Sequence, residues 1–550
     1  VVGDASSLAP LIDFYSGRVI QTSAADAQGC GIRCAAFYLF QLMRGDKVMQ
    51  AVLKRILTAK VYEAAVETPL EEAFKLSERL NNHVYLKRED LQPIFSFKLR
   101  GAYNCIAQLS PEEQKKGVIA ASAGNHAQGV AFSARQLGIR AIIVMPETTP
   151  AIKIGAVRSL GAEVILHGDN YSEAAAHCST ILEQTGMVYI HPFDDDYVIA
   201  GQGTVADEIL RQSAGKLDAV FVPVGGGGLI AGIAAYMKAV SPDVKIIGVE
   251  PQDSCAMTRS LEAGEPVHQD KVGIFADGVA VRDVGKKTFR LCHKYVDEMV
   301  LVSTDEICSS IRAIYQETRS IVEPAGALGV AGLRKYVQQH HIEGQHLVAI
   351  NSGANMNFDR LRYVAERAQV GENEEALFAV TIPEKPGALR TFCTSVVKER
   401  NITEFNYRRS DQHDACIFVG ISTHNSQERE EFNSHLIQHG YTALDITDNE
   451  LAKTHVRYMV GGRCPRIKHE LLYRFWFPER PGALSRFLAA LGSAWNISLF
   501  HYRSQGGCFG RVLIGLELPE DQRSQVNDVL DNLGYVYMDE TDNPVYSLFL

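Results

Sequence analysis

From about residue 60 to residue 365 the chain alternates unbroken apolar runs with longer stretches whose apolar residues recur at helical spacing. GVIAAS (117–122), AIIVMP (141–146), AEVILHG (162–168), LDAVFVPV (217–224), VKIIGVEP (244–251) and HLVAINSG (346–353) are rich in β-branched residues, and each predicts a buried strand. AQGVAFSARQLG and AGIAAYMKAV, lying between such runs, predict helices. Strands alternating with helices predict βαβ units around an open, mostly parallel sheet of the α/β class. Around 366–376 the polar, acidic QVGENEEA predicts a linker, and beyond it the pattern becomes strands with short helices.

That last third repeats itself. IPEKPGALRTF, NITEFNYRR and CIFVGI are followed later by FPERPGALSRF, NISLFHYRS and RVLIGL. Pro383, Asn401, Tyr407 and Gly420 recur as Pro478, Asn496, Tyr502 and Gly515, each 95 residues on. Four landmarks in one register predict two copies of a small α/β module. P-G-A-L by itself marks only a turn and a helix start.

Composition narrows the classes. At 550 residues, with 46% hydrophobic and 22% charged positions, the chain reads as a soluble globular protein of several domains. A net charge of −10 argues against a nucleic-acid or anionic-membrane binder, and no apolar run approaches a membrane-spanning length. Eleven cysteines without a C-x-x-C pair predict neither a disulfide framework nor a zinc site, and fit a reducing, cytoplasmic setting. Residues 1–50 match neither a secretory signal nor a transit peptide well, and are read as an extension of unknown role.

Candidate chemistry begins with SFKLRGAYN (96–104), where Lys98 stands between Phe97 and Leu99. A surface lysine on a helix is one reading. The other is an amine that burial keeps neutral, able to form a Schiff base with an aldehyde. VGGGGL (224–229) joins a strand to a helix, and four consecutive glycines at a helix start expose N–H groups that suit a phosphate. It is neither a Walker A loop nor G-x-G-x-x-G, since Ile230 holds the sixth position. SAGNHAQG (122–129) brings Asn125, which could equally cap its helix, and His126, which is given no catalytic role. AINSGANMN (349–357) brings Ser352 to the end of a strand. A lysine, a phosphate cradle and two polar side chains at strand ends of one open sheet point to pyridoxal 5′-phosphate.

SFKLRGAYN, SAGNHAQG, GQGTVADEIL, PVGGGGLIAG, FADGVAV, EPAGAL and NSGANMNF together resemble the biosynthetic threonine deaminases, whose catalytic half is a fold-type II, tryptophan-synthase-β-like pyridoxal enzyme. The likeness runs from about residue 58 to the C-terminus, and the lysine motif alone would also admit serine racemases. It implies a catalytic domain at 51–370 and two ACT-like regulatory modules at 376–448 and 471–543. Lys98 would hold the cofactor and act on the substrate Cα proton. Asn125 would bond the phenolic oxygen, Gly225, Gly226, Gly227, Gly228 and Leu229 the phosphate, and Ser352 would face the pyridine nitrogen. L-Threonine would lose water and ammonia to give 2-oxobutanoate on the way to isoleucine, with L-serine as a second substrate.

The resemblance further implies isoleucine as inhibitor, valine as its antagonist, and a homo-oligomer, a tetramer by preference. The repeat pairs Tyr407 with Tyr502 and Arg408 with Arg503. Adjacent strand residues face opposite ways, so the tyrosines are the effector-binding candidates. The competing readings are a serine/threonine dehydratase or serine racemase of the same fold, and a catalytically inactive amino-acid sensor using only the tail. The intact lysine and glycine loop speak against the sensor.

Overall fold

All six apolar runs form strands, and they divide between two sheets rather than one. The computed structural model describes residues 11–12, 19–20, 46–383, 388–398, 400–406, 414–459, 469–478, 495–503, 509–518, 522–532 and 534–549. The larger sheet of the N-terminal part has the order Glu298–Val302, Lys245–Pro251, Ala219–Pro223, His346–Asn351, His83–Arg88, Leu70–Glu72. Every pairing in it is parallel except the last. The smaller sheet is parallel throughout, in the order Glu163–Leu166, Ala141–Met145, Val118–Ala121, Val188–Tyr189. Strands Ala219–Pro223, Ala141–Met145 and Val118–Ala121 are buried at every position, as continuous apolar runs require when helices cover both faces.

Helix Lys98–Ile106 packs against helix Asn125–Leu137 on one side and Asp196–Gln212 on the other. A buried ionic quartet fixes it. Arg100, fully buried, donates to Glu89 at 2.8 Å and to Glu208 at 2.6 Å; Lys87 donates to Glu208 at 2.6 Å, and Thr68 to Glu89 at 2.6 Å. Two cations and two carboxylates balance, which is the condition under which buried charge is tolerated. Helix Lys47–Leu57 lays Met49, Val52, Leu53 and Ile56 onto the core formed with helices Asp196–Gln212 and Gly228–Val240.

The acidic stretch expected to be a linker is built into regular structure. Helix Leu361–Gly371 runs into it, and three residues separate the helix from strand Glu375–Pro383. Its carboxylates are held: Glu372 by Arg334 at 2.9 Å, Glu374 by Arg312 at 2.5 Å, and Glu375 by Arg457 at 3.2 Å.

The duplication is visible in the backbone. Two antiparallel four-stranded sheets share one order: Ile402–Asn406, Asp414–Ser422, Glu375–Pro383, Thr442–Asp445, and then Asn496–Arg503, Phe509–Glu517, Glu470–Pro478, Tyr537–Asp539. Even the irregularity is copied, with a bulge at Ile402/Glu404 and another at Ile497/Leu499. At the bulges Thr403 donates to Glu375 at 2.6 Å and Ser498 to Glu470. Each hydroxyl lies over a glycine of the next strand: a Cβ on Gly420 would stand 2.4 Å from Thr403 Oγ1, and one on Gly515 2.5 Å from Ser498 Oγ.

The two modules share a core of Leu377, Phe418 and Leu451 from the first with Leu472, Leu513 and Val545 from the second. The first module also reaches the N-terminal part through Asp305. Arg367 forks onto Glu450 at 2.7 and 3.0 Å and pairs with Asp305, to which Lys453 donates at 2.7 Å. Among the described residues no helix is long and apolar enough to cross a membrane.

Candidate active site

The predicted residues sit where strands end. Val118–Ala121 leads into Asn125, Ala219–Pro223 into the glycines, and His346–Asn351 into Ser352. Parallel strands put these ends on one side of their sheet, where ligands bind in such folds.

Lys98 opens its helix, and the chain enters through Phe95 in the left-handed conformation, φ +57°, sparsely populated for an aromatic residue. Two hydrogen bonds hold that turn: Phe95 N donates to Gln92 O at 2.7 Å, and Ala354 N donates to Phe95 O at 2.9 Å. Phe97 N and Ser96 Oγ both donate to Ser352 O, at 3.2 and 3.3 Å, tying the lysine segment to the serine segment. The Lys98 amine donates to Pro192 O at 2.9 Å, and among the described residues no carboxylate pairs with it. Burial lowers its pKa to about 8, with Glu323 pulling the other way.

The glycine loop closes against the same segment. Helix Gly228–Val240 begins from Gly227, at φ +91° and thus in a conformation only glycine adopts freely. A Cβ on Gly226 would stand 2.3 Å from the ring of Phe193, the residue after the lysine's carbonyl partner. Thr288 Oγ1 donates to Gly226 O at 2.6 Å and pins the loop from behind. The free N–H groups of a helix's first turn lie at this end.

Asn125 is not a cap. It is the first residue of its helix, Gly124 occupies the capping position, and the side chain turns into the site. Its Nδ2 donates to Glu323 Oε1 at 2.5 Å and its Oδ1 accepts from Asn355 at 2.7 Å. Ser352, 3% exposed, donates to Ala325 O at 3.2 Å. His126 is a buried anchor, its Nε2 2.8 Å from Ile190 O, and burial, followed by the Lys98 charge, lowers its pKa to about 3. Tyr407 lies outside the described residues. So does the side chain of Tyr502, whose backbone belongs to strand Asn496–Arg503 and pairs with Val512.

Two further carboxyl groups stand at the site. Burial and the neighbouring charge of Asp277 push Glu323 up to about 7. Burial also works against Asp277, but Lys153, at 2.6 Å, and Arg360 hold it down at about 2. Neither carboxyl, nor Asn355, was assigned a role from the sequence, although EPAGAL, FADGVAV and NSGANMNF stood out as motifs.

Residues 61–353 match the family of pyridoxal-phosphate dependent enzymes, and residues 366–456 and 462–550 match the C-terminal regulatory domain of threonine dehydratase. Over 501 residues the chain is 56% identical to the biosynthetic L-threonine dehydratase of Burkholderia multivorans, covering 90% of this chain and 99% of that one. The chain belongs to the biosynthetic threonine dehydratases. The corresponding enzyme of Pasteurella multocida is 53% identical over 499 residues, covering 90% of this chain and 97% of its own. Among solved structures, the processed form of threonine deaminase isoform 2 from Solanum lycopersicum superposes with a TM-score of 0.58 at 52% identity, covering 59% of this chain and 94% of that one.

Members of the pyridoxal-phosphate family need an amine, a phosphate cradle and polar partners for the ring, and the residues of this dehydratase fit that group. Among the described residues its amine is partly shielded and makes no ion pair, its loop admits no side chain at Gly226, and one proton of the Asn125 amide meets no acceptor.

Proposed function

We propose that this chain is a threonine ammonia-lyase that converts L-threonine, and L-serine as a second substrate, to the 2-oxo acid and ammonia. Bound pyridoxal phosphate supplies a carbonyl for the substrate amine and a conjugated ring that draws electrons from the substrate Cα. Lys98 anchors the cofactor, and its Nζ then takes the Cα proton as the β-hydroxyl departs. Gly225, Gly226, Gly227, Gly228 and Leu229 bind the phosphate through backbone N–H groups. Asn125 donates to the phenolic oxygen. Ser352 presents a hydroxyl rather than a carboxylate to the ring nitrogen, so no protein charge holds a proton there. The observation that carries this reading is the set of contacts joining Lys98 to Pro192 O, the adjacent Phe193 to the glycine loop, and Ser96 to Ser352 O.

In this reading residues 51–370 are the catalytic domain, 376–448 and 471–543 the two regulatory modules, and 1–50 an extension. Isoleucine inhibits and valine opposes it, through sites that include Tyr407 and Tyr502, in a cytoplasmic homotetramer. The duplicated sheets and the ion pairs of Arg367 and Lys453 with Asp305 support control from the tail. Purified with cofactor, the chain should release 2-oxobutanoate and ammonia from L-threonine, and isoleucine should suppress this. Lys98→Ala should abolish turnover while leaving the circular dichroism unchanged. Turnover surviving in that variant, or no 2-oxo acid from the parent, rejects the assignment.

A further inference from the structure

Asn125 meets the site with its amide already engaged on two sides. The oxygen accepts from Asn355 Nδ2 at 2.7 Å, and Asn355 is itself fixed by Ile94 O at 2.8 Å. One Nδ2 proton goes to Glu323 Oε1 at 2.5 Å. An amide with its oxygen and one proton engaged has a single orientation and a single proton left to offer.

Glu323 is fixed in turn. It stands before helix Pro324–His340, its N–H donates to Gly353 O at 3.1 Å, and a Cβ on Gly353 would lie 2.5 Å from its Oε1. It is 4% exposed and makes no ion pair among the described residues. A buried carboxyl without a cation is costly, so the fold keeps it against that cost.

We propose that Glu323 is a positioning residue for the cofactor: its carboxyl locks the Asn125 amide so that the remaining Nδ2 proton faces the phenolic oxygen, and gain or loss of its own proton reaches the cofactor through that amide. This rests on the role proposed above for Asn125. The charged groups around Glu323 come from four elements: Lys98 at the start of its helix, Asp277 on the turn 277–279, Lys153 on helix Ala151–Ser159, and Arg360 before helix Leu361–Gly371. Burial and Asp277 favour the protonated carboxyl, whereas Lys153, Arg360 and the Asn125 bond favour the carboxylate. With the balance at about 7, Glu323 changes state around neutral pH. Ionised, it accepts a charge-assisted bond and polarises the amide; protonated, it accepts more weakly.

Holoenzyme of the parent, Glu323→Gln, Glu323→Ala and Asn125→Ala is compared by two measurements. One is cofactor retained on dialysis, and the other is the absorbance spectrum of bound cofactor titrated across neutral pH. Glutamine still accepts from Asn125 but cannot ionise. Its variant should retain cofactor within about threefold of the parent and lose the neutral transition. Alanine leaves a buried amide proton without an acceptor, and retention should fall about tenfold or more. A parent spectrum flat across neutral pH, a transition preserved in Glu323→Gln, or parental retention in Glu323→Ala overturns the proposal. If Asn125→Ala also retains cofactor like the parent, the role of Asn125 fails with it; if only Asn125→Ala loses cofactor, Glu323 alone is excluded.

Discussion

A single amine is the most exacting test at the residue scale. Among the described residues Lys98 bonds a carbonyl and no carboxylate, so burial acts on it with little to offset it. In cofactor-free protein, competition labelling should give Lys98 a midpoint near pH 8, against ~10.4 for ordinary lysines. The sign follows from proton counting: between those values the unfolded chain binds more protons, so this residue's contribution to stability rises with pH. A midpoint shared with the surface lysines would remove the argument for a pre-neutralised amine. Lys98 was legible because Phe97 and Leu99 flank it in the sequence. Glu323 was not, because Asp277, Gly353 and Asn125 make its surroundings, and they come from distant parts of the chain.

Elements were legible where apolar residues run unbroken, although Glu163–Leu166, at the edge of the smaller sheet, is partly exposed and not the buried strand expected. The six apolar runs declared themselves as strands, yet nothing in a run buried on both faces says which sheet it joins. Strand His83–Arg88 escaped notice because Lys87 and Arg88 look solvent-bound, whereas Glu208 and Asp90 neutralise them in the interior. The acidic linker misled for the same reason, since its carboxylates answer to arginines elsewhere in the chain. The repeated bulge offers a direct test. Gly420→Ala and Gly515→Ala each drive a methyl group into the hydroxyl of the bulge, and each should cost about 1–3 kcal/mol in chemical denaturation of the tail. Thr403→Ala placed beside Gly420→Ala should recover part of the loss. A Gly420→Ala chain as stable as its parent would mean that the bulge yields freely.

On the scale of the whole molecule, the contacts between the first module and the catalytic half are one place where control from the tail can be tested. Partial burial works against the Glu450 charge, but Arg367 and Lys453 keep its carboxyl well below the usual carboxylate range. A depressed carboxyl contributes above its ordinary value and loses that contribution as pH falls through the shifted one, so the grip stays ionic at any working pH. Glu450→Gln keeps the shape and removes the charge. Basal turnover should stay within a few-fold, while the isoleucine concentration for half-inhibition rises about fivefold or more, as expected when coupling of this order is lost. Unchanged inhibition would send the signal by another route.

The core shared by the modules has a consequence for their origin. Leu377 and Leu472 are one position of the repeat, as are Phe418 and Leu513, and all four meet in the same cluster. The copies therefore join by like faces, the arrangement that makes an interface complementary to itself. A lone ancestral module bearing that face could already pair with its twin. Fusion of two copies would then have tethered a pair whose interface was already in place.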